Sequence, residues 1–244
     1  MAALAPAWPV LQRARRGDGH PVLVLPGLAA SDLSTGILRR YLRGLGYHVH
    51  DWGLGRNVGP TEKTVRGLRE RVDDLARRHG QPMSLVGWSL GGIYARELSR
   101  HAPAAVRQVV TLGTPFLLRD PRASNTGAVW GVLRRAHGPV RPDLWPQEEE
   151  RGPLPVPATS VYTRHDGIVP WRACLEIASP TSESIEVTGS HIGLGHNPAA
   201  MWVIADRLAL PAGEWRPFRP EGPGRLLFPA LRTGTSPVVS VSGG

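Results

Sequence analysis

The chain has 244 residues and carries 29 Lys plus Arg against 20 Asp plus Glu, a formal net charge of +9 at pH 7. Its length suits one domain with a large core, and an apolar fraction of 41% with 29 glycines is that of a globular protein, not a fibrous or disordered one. The charge is nearly all arginine spread over expected helices, with no basic run interleaved with aromatics, so the sequence predicts at most weak contact with polyanions or an anionic membrane and no specific nucleic-acid recognition.

Residues 1–20 read as a short basic lead-in. Its apolar stretch Leu4 to Leu11 is broken by Pro6 and Pro9, and the basic cluster Arg13, Arg15, Arg16 follows it, which is not the layout of a signal peptide. No run is long enough to cross a bilayer. Cys174 is the single cysteine, so an internal disulfide and a cysteine-based zinc site are ruled out. A cytoplasmic location is the expectation.

Val22 to Leu25 is a continuous apolar run ended by Pro26-Gly27, the pattern of a strand buried on both faces. A helix is expected over 32–44, a short strand from Tyr47, and a glycine-rich loop in GLGRNVGP. A second helix spans 61–79, capped by Thr61, with Val65, Leu68, Val72 and Leu75 on one stripe. Met83–Trp88 is a strand, and a helix starts immediately after it. Strands follow at Val106–Pro115, Ala158–Arg164 and Ser184–Ser190, and a closing helix runs over Pro198–Leu210. Strand and helix alternate, which predicts an α/β fold with a mostly parallel sheet covered on both faces.

Two stretches break this rhythm. Residues 117–157 are too long for a simple connection and hold an expected amphipathic helix near Ala128–Arg135, so they read as a cap or lid insertion. Their apolar residues, among them Trp130 and Trp145, suggest an acyl groove, with Leu28, Leu90, Trp52 or Trp88 as further wall. Residues 211–244 form an irregular tail rich in Pro, Gly and Ser. The domain is expected over 20–210.

Gly87-Trp88-Ser89-Leu90-Gly91 matches G-x-S-x-G between an apolar strand and a helix. A serine there stands on a tight, strained turn above the sheet, and flanking side chains would collide, so glycine fits on both sides. Asp166, in YTRHDGIVP, and His191, in VTGSHIGL, each follow a strand. The order Ser, Asp, His and the position at carboxyl ends of strands suit a nucleophile, an orienting carboxylate and a base. The alternatives are His196 or His165 for the base, Asp120 or Asp143 for the acid, and a mere turn-forming role for Asp166 before Gly167. Backbone donors for a developing oxyanion are expected at Leu90 and at Leu28, with Ala29 as the alternative to Leu28. No metal-ligand or nucleotide-binding pattern is present, and neither metal nor cofactor is expected.

Together, VLVLPGLAASD, LVGWSLGGIYARE, VTLGTPF, YTRHDGIVPW and SHIGLGHNP resemble bacterial α/β-hydrolases of the lipase/esterase type, distantly similar to hydrolases related to GPI inositol deacylase. The resemblance covers about residues 20 to 208. It implies the α/β-hydrolase fold, the triad Ser89, Asp166 and His191, and oxyanion positions Leu28 and Leu90. One departure is Pro26, where many lipases have histidine. The implied activity is cleavage of small-to-medium or lipid-like carboxylic esters through an acyl-enzyme. The same residues would serve a thioesterase, amidase or acyltransferase, and a binding protein on a hydrolase scaffold is the non-catalytic alternative. The sequence does not indicate an oligomeric state.

Overall fold

The computed structural model of the chain describes residues 4–118 and 152–228. The helix expected near Ala128–Arg135, the carboxylates Asp120 and Asp143, Trp130 and Trp145, and the tail beyond 228 lie outside the described residues.

Six strands form one all-parallel sheet in the order β2-β1-β3-β4-β5-β6. They are β1 (Pro21–Leu25), β2 (His48–His50), β3 (Met83–Trp88), β4 (Val106–Leu112), β5 (Ala158–Tyr162) and β6 (Ser182–Glu186). Five helices accompany them among the described residues: α1 (Leu4–Leu11), α2 (Gly36–Gly44), α3 (Glu62–His79), α4 (Leu90–His101) and α5 (Pro198–Leu208). Side chains alternate across a strand, and here both sides are apolar. Val22, Val24, Val86 and Val110 face α1, α2 and α5, whereas Leu23, Leu25, Leu85 and Val109 face α3 and α4. The sheet is therefore buried on both faces, as the unbroken apolar runs predict. After β2 the chain returns to the other side of β1, so strand order reverses between β1 and β3. The crevice at the carboxyl ends of strands flanking such a reversal is where ligands bind in this architecture.

Local chemistry explains most boundaries. Thr61 caps α3 by accepting the Thr64 N–H, and Gly80 ends it in the left-handed region. The helix expected from residue 32 begins instead as a tight turn, Asp32–Thr35, before α2. The last strand ends at Glu186, not Ser190, because residues 187–190 turn away to carry His191.

Both flanks of the 20–210 segment pack on it. The lead-in holds a true helix, α1, despite Pro9. Tertiary contacts stabilise it: Leu11 is fully buried in the core, Trp8 meets Tyr41 edge-on with ring centroids 6.0 Å apart, and the Tyr41 hydroxyl donates to Leu11 O. Beyond α5, the irregular stretch through 228 is docked by the buried Glu183. This carboxylate accepts the Phe218 N–H at 2.8 Å and one Arg207 guanidinium N–H at 2.8 Å. Phe228 joins the same core as α1 and α5.

Candidate active site

The β3–α4 junction explains its own composition. Ser89 has φ 53° and ψ −119°, a conformation that only tight surroundings impose on a residue with a side chain. A β-carbon on Gly87 would collide with the backbone of Gly91 and Gly92, one on Gly91 with the carbonyls of Leu25 and Pro26, and one on Gly92 with Thr114. The three glycines therefore let α4 start directly behind the serine and against β1. The Ser89 N–H donates to Leu112 O at 2.8 Å, which fixes the turn to β4.

The structure brings Ser89, His191 and Asp166 together. His191 Nε2 lies 3.0 Å from Ser89 Oγ, and His191 Nδ1 lies 2.8 Å from Asp166 Oδ2. An ionised carboxylate only accepts, so Nδ1 carries the hydrogen and Nε2 is the acceptor facing the serine hydroxyl. Asp166 and His191 are buried, while Ser89 is half-buried at the crevice. Asp166 does two things at once. Its Oδ1 accepts the Ile168 and Val169 N–H groups at 3.0 and 2.7 Å, holding the turn, and its Oδ2 faces the imidazole.

The loops that carry these side chains are braced. His191 N–H donates to Asp166 O at 3.1 Å, and Trp88 Nε1–H donates to His191 O at 3.1 Å. Thr163 Oγ1–H reaches Gly189 O, and Asn197 Nδ2–H reaches Thr188 O while its Oδ1 caps α5. Gly113, at φ 53°, passes beneath the His191–Asp166 bond so closely that a β-carbon would press on Leu194, His191 and Asp166.

His196 is elsewhere. Its ring meets Trp88 edge-on at 5.9 Å, and burial lowers its pKa. His165 is exposed. Trp88 and Trp52, both weighed as groove wall, have other tasks. Trp88 braces His191, and Trp52 is buried in the core, where it stacks on Tyr94 and donates to Gly55 O.

Two backbone N–H groups lie close to Ser89 in the fold, that of Leu90 beside it in the chain and that of Leu28 beside Gly27. Leu90 is the first residue of α4, where an N–H has no partner inside its helix. The Leu28 N–H has no hydrogen-bond partner among the described residues, whereas the Ala29 N–H is committed to Asn57 O at 2.8 Å. Of the two expected positions, Ala29 thus has its N–H already bonded and Leu28 does not. Gly27 lies against Ser89, its missing β-carbon 3.4 Å from Ser89 Cβ and from Trp88 O. Sequence reading missed Asn57, which is fully buried beneath this loop. The only trace in the sequence is an amide residue inside a glycine-rich stretch. Among the described residues, no group of three His, Cys, Asp or Glu side chains is arranged to hold a metal ion. No helix among them is long and apolar enough to cross a membrane.

No protein-family model matches the chain. It is 31% identical over 105 residues to a pimeloyl-[acyl-carrier protein] methyl ester esterase of Aromatoleum aromaticum, a match covering 34% of this chain and 41% of that protein. The chain thus spans about two fifths of the length of this curated relative. The crystal structure of a Paleococcus ferrophilus monoacylglycerol lipase superposes with a TM-score of 0.57 at 17% identity, covering 80% of this chain and 96% of the other. That of a Bacillus licheniformis lipase superposes with a TM-score of 0.57 at 14% identity, covering 81% and 95%. With a parallel sheet, a strained serine elbow after β3 and these structural relatives, the chain is an α/β-hydrolase by fold.

Proposed function

We propose that this protein is a serine hydrolase that cleaves carboxylic esters, with Ser89 as nucleophile, His191 as base and Asp166 as orienting acid. The observation that carries the reading is the unbroken line from Ser89 Oγ to His191 Nε2 at 3.0 Å and from His191 Nδ1 to the buried Asp166 carboxylate at 2.8 Å. The relatives named as esterase and lipases support the same chemistry.

The reaction follows from this geometry. Ser89 Oγ attacks the ester carbonyl carbon as its proton passes to His191 Nε2. The carbonyl oxygen takes up the negative charge and is held by the Leu28 and Leu90 N–H groups. The C–O bond to the alcohol breaks, and the alkoxide leaves with the proton from Nε2. Water then gives a proton to Nε2 and attacks the acyl carbon. The proton returns to Ser89 as the acid departs. Asp166 keeps Nε2 in its acceptor state and stabilises the imidazolium. The chain's own side chains supply the first nucleophile and shuttle each proton, and water supplies the second nucleophile.

The substrate in this reading is a small or lipid-like acyl ester. The half-buried Leu28 is one apolar wall. Most of the expected cap at 117–157 lies outside the described residues, and its described start leaves the sheet beside the site. Pro115 and Phe116 follow Gly113, which lies beneath His191, and the Leu117 N–H is tied to Ala173 O. Each acyl methylene buried against such an apolar wall would contribute about 0.8 kcal/mol. The net charge of +9 adds weak, salt-sensitive contact with polyanions or anionic membranes. The single, buried Cys174 favours a cytoplasmic location. The test is stoichiometric labelling by a fluorophosphonate together with hydrolysis of a chain-length series of esters. Both are expected in the native protein and lost in Ser89→Ala. Turnover unchanged in that variant overturns the reading.

A further inference from the structure

The loop between β2 and α3 reads in the sequence as a bare connection, yet its Asn57 uses all its polar groups in hydrogen bonds beside the crevice. Its main chain pairs with the loop after β1. The Asn57 N–H donates to Ala30 O at 2.8 Å, and Asn57 O accepts the Ala29 N–H at 2.8 Å. Its side chain continues the pairing, since Nδ2–H donates to Pro26 O at 2.9 Å. On the other side, Oδ1 accepts the Gly59 N–H at 3.2 Å and the Tyr94 hydroxyl at 3.2 Å. Arg56 adds an outer tie by donating to Ala29 O at 3.1 Å.

These bonds end on two elements that matter to the reaction. Pro26, Ala29 and Ala30 surround Leu28, whose N–H has no hydrogen-bond partner among the described residues. Tyr94 lies on α4, one turn after Leu90. Ala29 sits at φ 60°, a left-handed conformation that a residue with a side chain keeps only when its surroundings enforce it. The bond from its N–H to Asn57 O helps enforce it and holds the loop immediately after Leu28. Burial pushes the Tyr94 phenol well above its ordinary range, so it stays a neutral donor to Oδ1. Only a carboxamide fits this position. It donates toward Pro26 O and accepts from Tyr94 and Gly59, whereas a carboxylate lacks the donor and an alanine lacks both.

We infer that Asn57 is a positioning residue for the oxyanion hole, tying the Leu28 loop to α4 and so setting the distance between the Leu28 and Leu90 N–H groups. This role rests on the reading of Ser89 as nucleophile. It predicts a fault in transition-state stabilisation, not in substrate capture. A donor displaced by a fraction of an ångström still leaves the ester bound but loses the alkoxide that forms later.

The experiment compares native protein, Ser89→Ala, Asn57→Ala, Asn57→Asp and Tyr94→Phe on one activated short-chain ester, with kcat and KM measured separately. Affinity for a trifluoromethyl ketone, whose serine adduct places an oxyanion in the hole, is the second readout, and the thermal midpoint reports folding. Asn57→Ala and Asn57→Asp are expected to lower kcat about 10- to 100-fold with KM within about threefold, and to weaken the ketone by a similar factor as kcat. Tyr94→Phe, which removes one hydroxyl and keeps the packing ring, is expected to lower kcat at least about threefold. A folded Asn57→Ala with native kcat and ketone affinity, or with a loss confined to KM, overturns the inference. Should both Asn57 variants fail to fold, Tyr94→Phe decides: reduced kcat at unchanged KM supports the role, and native kcat overturns it. Turnover that persists in Ser89→Ala removes the catalytic reading as well. Ser89-dependent turnover with unaltered Asn57 variants removes only the positioning role.

Discussion

The molecule contains two Ser–His–Asp lines, one at each end of its sheet. At the carboxyl end, Ser89, His191 and Asp166 are linked at 3.0 and 2.8 Å. At the amino end, Ser84 Oγ lies 2.8 Å from His20 Nε2, and His20 Nδ1 lies 2.5 Å from Asp18 Oδ1. By distance alone the second is the tighter. Everything around them differs. Ser84 is wholly buried as the second residue of β3, beside a register shift at Met83–Ser84, with a fully buried histidine over it. Ser89 stands at positive φ at the head of α4, half-exposed, beside the loop in which we place one of the two oxyanion donors. Three side chains in hydrogen-bond order therefore do not make a catalytic site. Access for a carbonyl carbon is also needed, and of these two lines the one at the carboxyl end has the half-exposed serine.

Paired substitutions test this contrast, and the serines should show the widest gap. Ser89→Ala is expected to remove at least about 10⁴-fold of ester turnover, because it deletes the reacting atom. Ser84→Ala is expected to leave kcat near native. It leaves His20 Nε2 buried without its partner, a loss of about 1–3 kcal/mol in stability. Parallel ester assays and urea melts check both halves. A kcat loss of comparable size at Ser84 would erase the distinction drawn between the two ends.

The carboxylates come next. Asp166→Asn is expected to cost about 10⁴-fold in kcat, as the same change does in the serine-protease triad, by favouring the wrong tautomer of the base. Asp18→Asn should alter stability and not kcat. Asp18 also accepts from Arg107, and its side chain is about half exposed. Native turnover in Asp166→Asn would reopen the choice of acid. A smaller contrast separates the neighbouring histidines. His191→Ala should approach the loss at Ser89, while His196→Ala, which removes only an edge-on contact with Trp88, should cost less than about tenfold. A reversed ranking of the two kcat/KM values would transfer the base to His196.

Much of the carboxyl-end site was legible in the sequence because its geometry is local. Gly87, Gly91 and Gly92 encode a steric demand within six residues, and the apolar strands point straight at it. Asp166 and His191 could be placed because each follows a strand, although both sit a few residues past the strand end, on loops of their own. The amino-end line was invisible. His20 and Ser84 are separated by 64 residues, and nothing near either names the other. Asn57 was hidden for the same reason, since its partners Pro26 and Tyr94 lie 31 residues before it and 37 after it. Helix α1 was missed because Pro6 and Pro9 argue against a helix locally, and packing on α2 and α5 overrides them.

The smallest effect expected is one of pH, and it uses the amino-end line as a foil for the catalytic one. His20 is enclosed by Asp18, Ser84, Arg107 and the edge of the Tyr47 ring. Burial lowers its pKa below the ordinary 6.5, Asp18 opposes that by hydrogen bonding, and Arg107 reinforces it. The folded state thus holds a neutral ring, donating from Nδ1 to Asp18 and accepting from Ser84 at Nε2. The unfolded chain protonates this histidine near 6.5, so as pH falls below that value the unfolded state binds the extra proton and gains. Stability contributed by His20 is complete above 6.5 and declines as pH drops toward the folded-state value, at no more than about 1.4 kcal/mol per pH unit. Asp18 acts in a lower window. Burial disfavours its charge, but hydrogen bonds from His20 and Arg107 outweigh this and hold its carboxyl below the usual range, so its contribution fades only below about 3.8. His50 and His196 are also lowered and act in the same direction as His20. Urea midpoints of the native protein should therefore fall between pH 7.5 and 5, and His20→Gln should flatten that slope without abolishing it. The pH profile of kcat/KM, which reports the base facing Ser89, should keep its midpoint in His20→Gln. Parallel stability slopes in the two proteins would refute the buried neutral ring. A displaced kcat/KM midpoint would mean that the two lines communicate through β3, and the amino-end line would then have to be counted as part of the catalytic apparatus.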